Sequence, residues 1–408
     1  MATQTSATTS AVRPSGVLGA LGPTVITAAL MFGPGSITLA STAGALYGYQ
    51  LLWVPVVATI LMIVFCDLAV RIGLGAAMGA DEVLRHRFGA PLAVLAALSA
   101  ALVCSSFQAG NSIGTGIAAG IAVPGDIRIY AGIFTALGIG MVWLPRFYTA
   151  LERLMTWIVG VMLVVFIITM VAATPDLGGI LGGLVPSVPS AGVAIVVGIT
   201  ATTFSVVGAL FQIQLVREKG WTAEDYPTAR LGVVAGITIL GLLSVIVMIT
   251  AAAVLHPVGH VVQSPADLAE MMRPVAGTWA AVLFAVGLWG AAFSSLVGNA
   301  TIGGGMLSAV FGWGQEVNAT RVKSCITVVM AVGGVVAMIF GSVPLELITT
   351  AQAVTIFGVP LIGVLLVILG RSSVIRQFRV GTTQWVLSII GVVFLLYLAS
   401  TYVQKLLA

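Results

Sequence analysis

The chain has 408 residues, 59% of them hydrophobic and 7% charged, with a mean hydropathy of +1.14. This composition excludes a soluble globular protein, and the long unbroken apolar runs exclude a membrane β-barrel, whose strands would alternate residue by residue. The formal charge of +4 is distributed as membrane topology demands, so it argues for a surrounding lipid bilayer and against a nucleic-acid partner.

In chain order, residues 1–16 are a polar Ser/Thr-rich stretch without a cleavable signal pattern, expected to be a disordered cytoplasmic tail. About 20 apolar residues are needed per crossing. That rule divides the rest into eleven spans: 17–47, 50–74, 91–121, 127–145, 150–173, 192–217, 229–255, 277–311, 320–341, 345–370 and 383–405. Segment 78–88 (MGADEVLRHRF) is too polar and too short to cross and is expected to lie at the interface. With a cytoplasmic N-terminus and an extracytoplasmic C-terminus, all 17 basic residues except Arg128, Arg273 and Lys405 fall inside. The positive-inside rule sets that orientation, and a bacterial inner membrane is the expected location. Cys66, Cys104 and Cys325 lie far apart in apolar segments and form neither a metal spacing nor a disulfide framework.

The first span is interrupted by Gly33-Pro34-Gly35-Ser36. Pro34 has no N–H, and irregular backbone inside a bilayer is tolerated only where it lines a cavity. In secondary transporters that cavity is the substrate site. The sixth span clusters Thr202, Thr203, Ser205 and Gly208 at its middle. Its hydroxyls could compensate freed backbone groups, and Gly208 could open the helix there. On the third span Gln108 and Asn111 share a helical face, fit either to bond neighbouring helices or to line a pocket. Asp67 and Arg71 are spaced as an ion pair, with Asp67 also a candidate proton carrier.

The stretch GPGSITLASTAGALYGYQLLW resembles the first-span signature of the NRAMP metal-ion transporters, Asp-Pro-Gly-Asn followed by AGA-x-YGY-x-LLW. SIGTGIAAGI (112–121), TALERLM (149–155), LVPSVP (184–189), LFAVGLWGAAFSSLVG (283–298) and TTAQAVTIFGVPLIGVLL (349–366) resemble later parts of that family. The resemblance implies an all-α membrane fold of eleven transmembrane helices. It would be a five-plus-five inverted repeat with discontinuous helices 1 and 6: residues 17–173, then 192–370, with 383–405 appended. It further implies that substrate binds between the two breaks, and that Gln352 occupies a polar family position on span 10. Ser294 and Ser295 match the place where distant relatives build a sodium site between spans 1 and 8.

The departures from the family concern the cargo. The family's metal ligands are an Asp and an Asn on span 1 and a Met on span 6. Gly33 stands at the Asp position, Ser36 at the Asn, and Ser205, Val206, Val207 and Gly208 at the family's Met-Pro-His-Asn. The acidic residues of the family's third span are replaced by Gln108 and Asn111. A divalent cation is expensive to desolvate without a carboxylate, whereas converging helix N-termini suit an anion. The sequence therefore predicts a gradient-driven transporter of a small anion, bicarbonate-like, by alternating access. Its expected substrate site is Gly33, Pro34, Gly35, Ser36, Gln108, Asn111, Thr203, Ser205, Val207, Gly208 and Gln352. Proton or sodium coupling would use Asp67, Ser294 or Ser295; no cofactor, resident metal or catalytic residue is expected. The alternatives are a divalent metal transporter of Mn or Mg type with atypical neutral ligands, and a non-transporting membrane sensor. The sensor is disfavoured because the chain ends at Ala408, a few residues past its last span.

Overall fold

A backbone in hydrocarbon must satisfy its own N–H and C=O groups, and among the described residues this one does so with helices and no strands. The computed structural model describes residues 32–144, 157, 160–161, 163–259 and 267–407. The expected tail, the first half of span 1 and the TALERLM stretch of span 5 lie outside the described residues.

Span 1 continues as Pro34–Tyr47, span 2 is Trp53–Ala76, and the interfacial segment is a helix over Ala80–Phe88. Spans 3 and 4 are Ala90–Ala122 and Ile127–Val142, and the described part of span 5 includes Leu163–Ala172. Span 6 comprises Val193–Thr203 and Val206–Glu218, followed by span 7 (Tyr226–Val254), span 8 (Ala280–Val310) and span 9 (Thr320–Phe340). Among the described residues, seven helices, or eight with one bent pair, are long and apolar enough to cross a membrane. The bent pair is span 10, which reads as continuous in sequence but turns by 43° between Pro344–Phe357 and Val359–Leu369. Pro360 explains it: the ring removes an N–H and crowds the carbonyl four residues earlier. Span 11 closes the chain as Thr382–Leu407.

Small residues let these helices approach closely, as bilayer packing requires. Span 3 lies along span 8 and against span 9. A side chain at Gly304 would lie 2.5 Å from the Ile326 backbone of span 9, and one at Gly114 would lie 2.5 Å from Pro34. The exterior is apolar, with Leu102, Val171 and Ile339 more than half exposed.

Asp67 ties three spans together. Its carboxylate accepts from Arg71 Nε at 2.9 Å, Tyr226 Oη at 2.9 Å and Gln384 Nε2 at 2.7 Å, with Arg230 Nε at 3.7 Å. Asp67 is 6% exposed, so its loss would leave three donors without their acceptor. Asp67→Ala is expected to cost about 3 kcal/mol, read as a lower thermal midpoint in detergent. Asp67→Asn should cost less, because one oxygen still accepts.

Candidate substrate pocket

Gly33 is extended (φ −103°, ψ −178°) and Pro34 opens the helix at its first position, where a missing N–H costs nothing. The Gly33 carbonyl accepts from the Ser36 and Ile37 amides at 3.1 and 3.5 Å. Span 6 breaks as its composition suggests, but at Phe204-Ser205 rather than at Gly208. Ser205 caps the second half-helix, its Oγ accepting from the Gly208 amide at 3.3 Å. A hydroxyl that satisfies an orphan N–H starts a helix better than a glycine does.

The two breaks face one small cavity of about 20 Å³, lined by Gly33, Gly35, Ser36, Phe107, Asn111, Thr202, Ser205, Gly208, Asn299, Ile302 and Gln352. That is room for one or two water-sized groups. Seven expected residues line it: Gly33, Gly35, Ser36, Asn111, Ser205, Gly208 and Gln352. Pro34 is turned onto Gly114, and Gln108 stands behind Asn111. Val207 lines the next cavity along, and Thr203 is buried outside the lining with no partner for its Oγ1. Ser295 lies against Gly33, where an added Cβ would be 3.1 Å from its Oγ, while Ser294 Oγ donates to the Ala291 carbonyl. Asp67 is in the three-span knot and not in this lining.

Phe107, Asn299 and Ile302 escape the sequence reading. Phe107 is four residues from Asn111 and Asn299 four from Ser295, so helical spacing from those positions could have found both. Ile302 carries no signal.

Two of the amides have orientations fixed by hydrogen bonds. Gln108 Nε2 donates to the Leu296 carbonyl at 2.6 Å, so Gln108 Oε1 is left to accept, and it accepts from Asn111 Nδ2 at 2.9 Å. Asn111 thereby spends its donor behind the pocket and keeps Oδ1 toward the break, 3.1 Å from where a Gly33 Cβ would sit. Gln352 is 2% exposed and its Oε1 has no hydrogen-bond partner. Nothing lining the cavity is charged. Among the described residues no three His, Cys, Asp or Glu side chains are grouped to hold a metal.

The cavity leads toward the arginine-bearing face. Ile302 also lines a second cavity of about 20 Å³, with Val207, Phe211 and Gln214. That one shares Gln214, Glu218, Gln315 and Val317 with an open vestibule of about 990 Å³. At the vestibule Glu82 bonds Arg217 at 2.7 Å, and that guanidinium holds its carboxyl below the usual carboxylate range. At the opposite end His256 Nδ1 lies 2.9 Å from the Ala45 carbonyl, and Trp53 Nε1 donates to the Ser187 carbonyl at 3.0 Å.

A family model described as "Natural resistance-associated macrophage protein-like" (Nramp) matches residues 24–404, nearly the whole chain. The chain belongs to the Nramp family. Among similar proteins, the "Divalent metal cation transporter MntH" of Deinococcus radiodurans is 27% identical over 360 residues, 84% of this chain and 80% of that protein. The protein of the same name from Pectobacterium carotovorum is 27% identical over 289 residues, 69% of each chain. A solved structure of the Eremococcus coleocola manganese transporter aligns with a TM-score of 0.74 at 18% identity, covering 93% of this chain and 85% of that one. Mhp1, a nucleobase-cation-symport-1 family transporter, aligns at 0.57 and 16% identity, covering 94% and 93%. The chain is thus a multi-pass Nramp-family transporter with the family's five-plus-five inverted-repeat fold. Both of these relatives are named for divalent metal cations.

Proposed function

We propose that this Nramp-family protein moves a small divalent cation, of Mn or Mg type, held at the two breaks by neutral oxygens. The carrying observation is the polarity of the pocket. Asn111 Oδ1 is left as an acceptor at the break, beside a space of about 20 Å³ that Ser36, Ser205 and Gln352 also line. Amide oxygens and hydroxyls are hard ligands suited to such ions, and no thioether biases the choice toward softer metals. The relatives' names support the same class. The missing carboxylate implies weak binding, which suits an abundant ion.

The bicarbonate-like anion is the second reading, favoured by the half-helix N-termini at Pro34 and Val206 meeting without an opposing carboxylate. Size counts against it, since four heavy atoms exceed a space for one or two waters.

In the proposed orientation the arginine-bearing face is cytoplasmic, the membrane is a bacterial plasma membrane, and the cavities trace the inward half of an alternating-access cycle. No titratable side chain lines the pocket, so a coupled proton would travel elsewhere. A sodium ion beside Gly33 and Ser295 is the remaining coupling proposal.

Proteoliposome uptake of Mn²⁺, Mg²⁺ and labelled bicarbonate, with and without proton and sodium gradients, tests this. Saturable divalent uptake is expected, and bicarbonate should stay at the level of empty liposomes. Saturable bicarbonate uptake without divalent uptake would reverse the assignment.

A further inference from the structure

The arginine-bearing face contains an electrostatic exception. The vestibule lining holds Asp81, Glu82, Glu218 and Glu316 against Arg85 and Arg217, with Arg321 5.5 Å from the ring of Trp313. Asp81 is paired with Arg85 at 2.8 Å and Glu82 with Arg217 at 2.7 Å. Among the described residues Glu218 has no basic partner within ion-pair distance; its carboxylate accepts from Gln214 Nε2 at 3.3 Å.

That bond decides which way Gln214 points. A carboxylate only accepts, so the amide nitrogen must face it and the oxygen must face away. Gln214 is 8% exposed, and its Oε1 is buried without a partner where the inner cavity joins the vestibule. An orphaned buried acceptor on a solute pathway calls for a donor or a cation. Gln315 repeats the pattern from the loop after span 8: its Nε2 donates to Met306 Sδ at 3.0 Å, which frees its Oε1. The two freed oxygens converge on Gly79. A Cβ there would stand 3.1 Å from Gln214 Oε1 and 3.7 Å from Gln315 Oε1, with Arg217 Nη1 at 2.8 Å. The Arg217 charge is answered by Glu82, which leaves Glu218 in excess.

We infer that Gln214, Glu218 and Gln315 form a second cation site, a staging point for a hard divalent ion between the break pocket and the open face. The two amide oxygens, completed by water, would ligate such an ion, while Glu218 holds the Gln214 amide with its oxygen turned outward and adds negative charge beside it. The surplus of negative charge would concentrate cations at the mouth. The choice of a divalent ion rests on the cation reading of the break pocket, but binding here is measured without transport.

The test uses the full chain in detergent, with Mn²⁺ alone by calorimetry and Tb³⁺ luminescence excited through Trp313, which lines the vestibule. Glu218→Gln and Gln214→Leu should each weaken binding at least tenfold and quench the sensitised luminescence. Gln214→Glu should tighten binding at least tenfold, and it decides the matter if the other two variants fail to fold. Unchanged Mn²⁺ affinity and Tb³⁺ signal in folded Glu218→Gln and Gln214→Leu would overturn the site, as would a wild-type chain that binds neither ion. Binding that depends on Glu218 without any divalent uptake would instead overturn the transport reading and leave this site standing.

Discussion

Gly33→Asp combined with Ser36→Asn should convert this protein into a tight manganese binder, with Kd lowered at least 100-fold, or about 2.7 kcal/mol. The two residues restore what the family resemblance implies for span 1, a carboxylate and an amide three positions apart on the face that meets the pocket. The site has room for the change: a Cβ on Gly33 would approach Asn111 Oδ1 and Ser295 Oγ at 3.1 Å, both ends of side chains that can yield by tenths of an ångström. Without an ion, the new carboxylate faces the acceptor Asn111 Oδ1 and is buried unpaired, so the apo variant should melt below the parent. Manganese should then raise its melting temperature more than it raises the parent's. Calorimetry and thermal shift with and without Mn²⁺ read both effects. A folded double variant no better at binding manganese than its parent would show that the break is not the cation site.

Gly35→Val should reduce uptake to background while the protein still folds, and Gly35→Ala should reduce it at least tenfold. A Cβ at Gly35 would stand 2.6 Å from Gln352 Nε2 and 2.8 Å from its Cδ, closer than real side chains approach. Gln352 is almost fully buried, so it must move and take its free oxygen with it. Overpacking of this kind typically costs about 1–3 kcal/mol. That is tolerable for a fold of this size but ruinous for a pocket of about 20 Å³. Shortening the opposing side chain separates the causes. Gln352→Ala in the Gly35→Ala background should fold more stably than Gly35→Ala alone, because the clash is relieved, yet still transport poorly. Additive losses in that double-mutant cycle would mean the two residues do not meet.

Much of the architecture could be read from residue order, because hydrocarbon enforces helices and the runs are long enough to count. The break at Gly33-Pro34-Gly35-Ser36 was visible for the same reason, since nothing else excuses a proline between glycines in an apolar span. Where the reading failed, the deciding partner was distant or the competition local. Asp67 pairs with Arg71 as its spacing predicts, but its other partners, Tyr226 and Gln384, are 159 and 317 positions away and leave no local signal. Gly208 looked like the opening of span 6, yet a capping hydroxyl at Ser205 outcompeted it. The anion expectation rests on absences alone. Deleting carboxylates says what repels an anion less, but only oriented amides say which atoms are offered in their place.

That orientation has its origin outside the pocket. Turning the Gln108 and Asn111 amides over by 180° would swap oxygen for nitrogen at the break and present a donor where an acceptor now stands. What forbids the inversion is the Leu296 carbonyl on span 8, a peptide group with no hydrogen to give, which compels Gln108 to face it with nitrogen. The polarity of the site is thus latched by one backbone oxygen on a neighbouring helix. A sliding or rotation of span 8 that withdrew it would let the same side chains welcome the opposite charge.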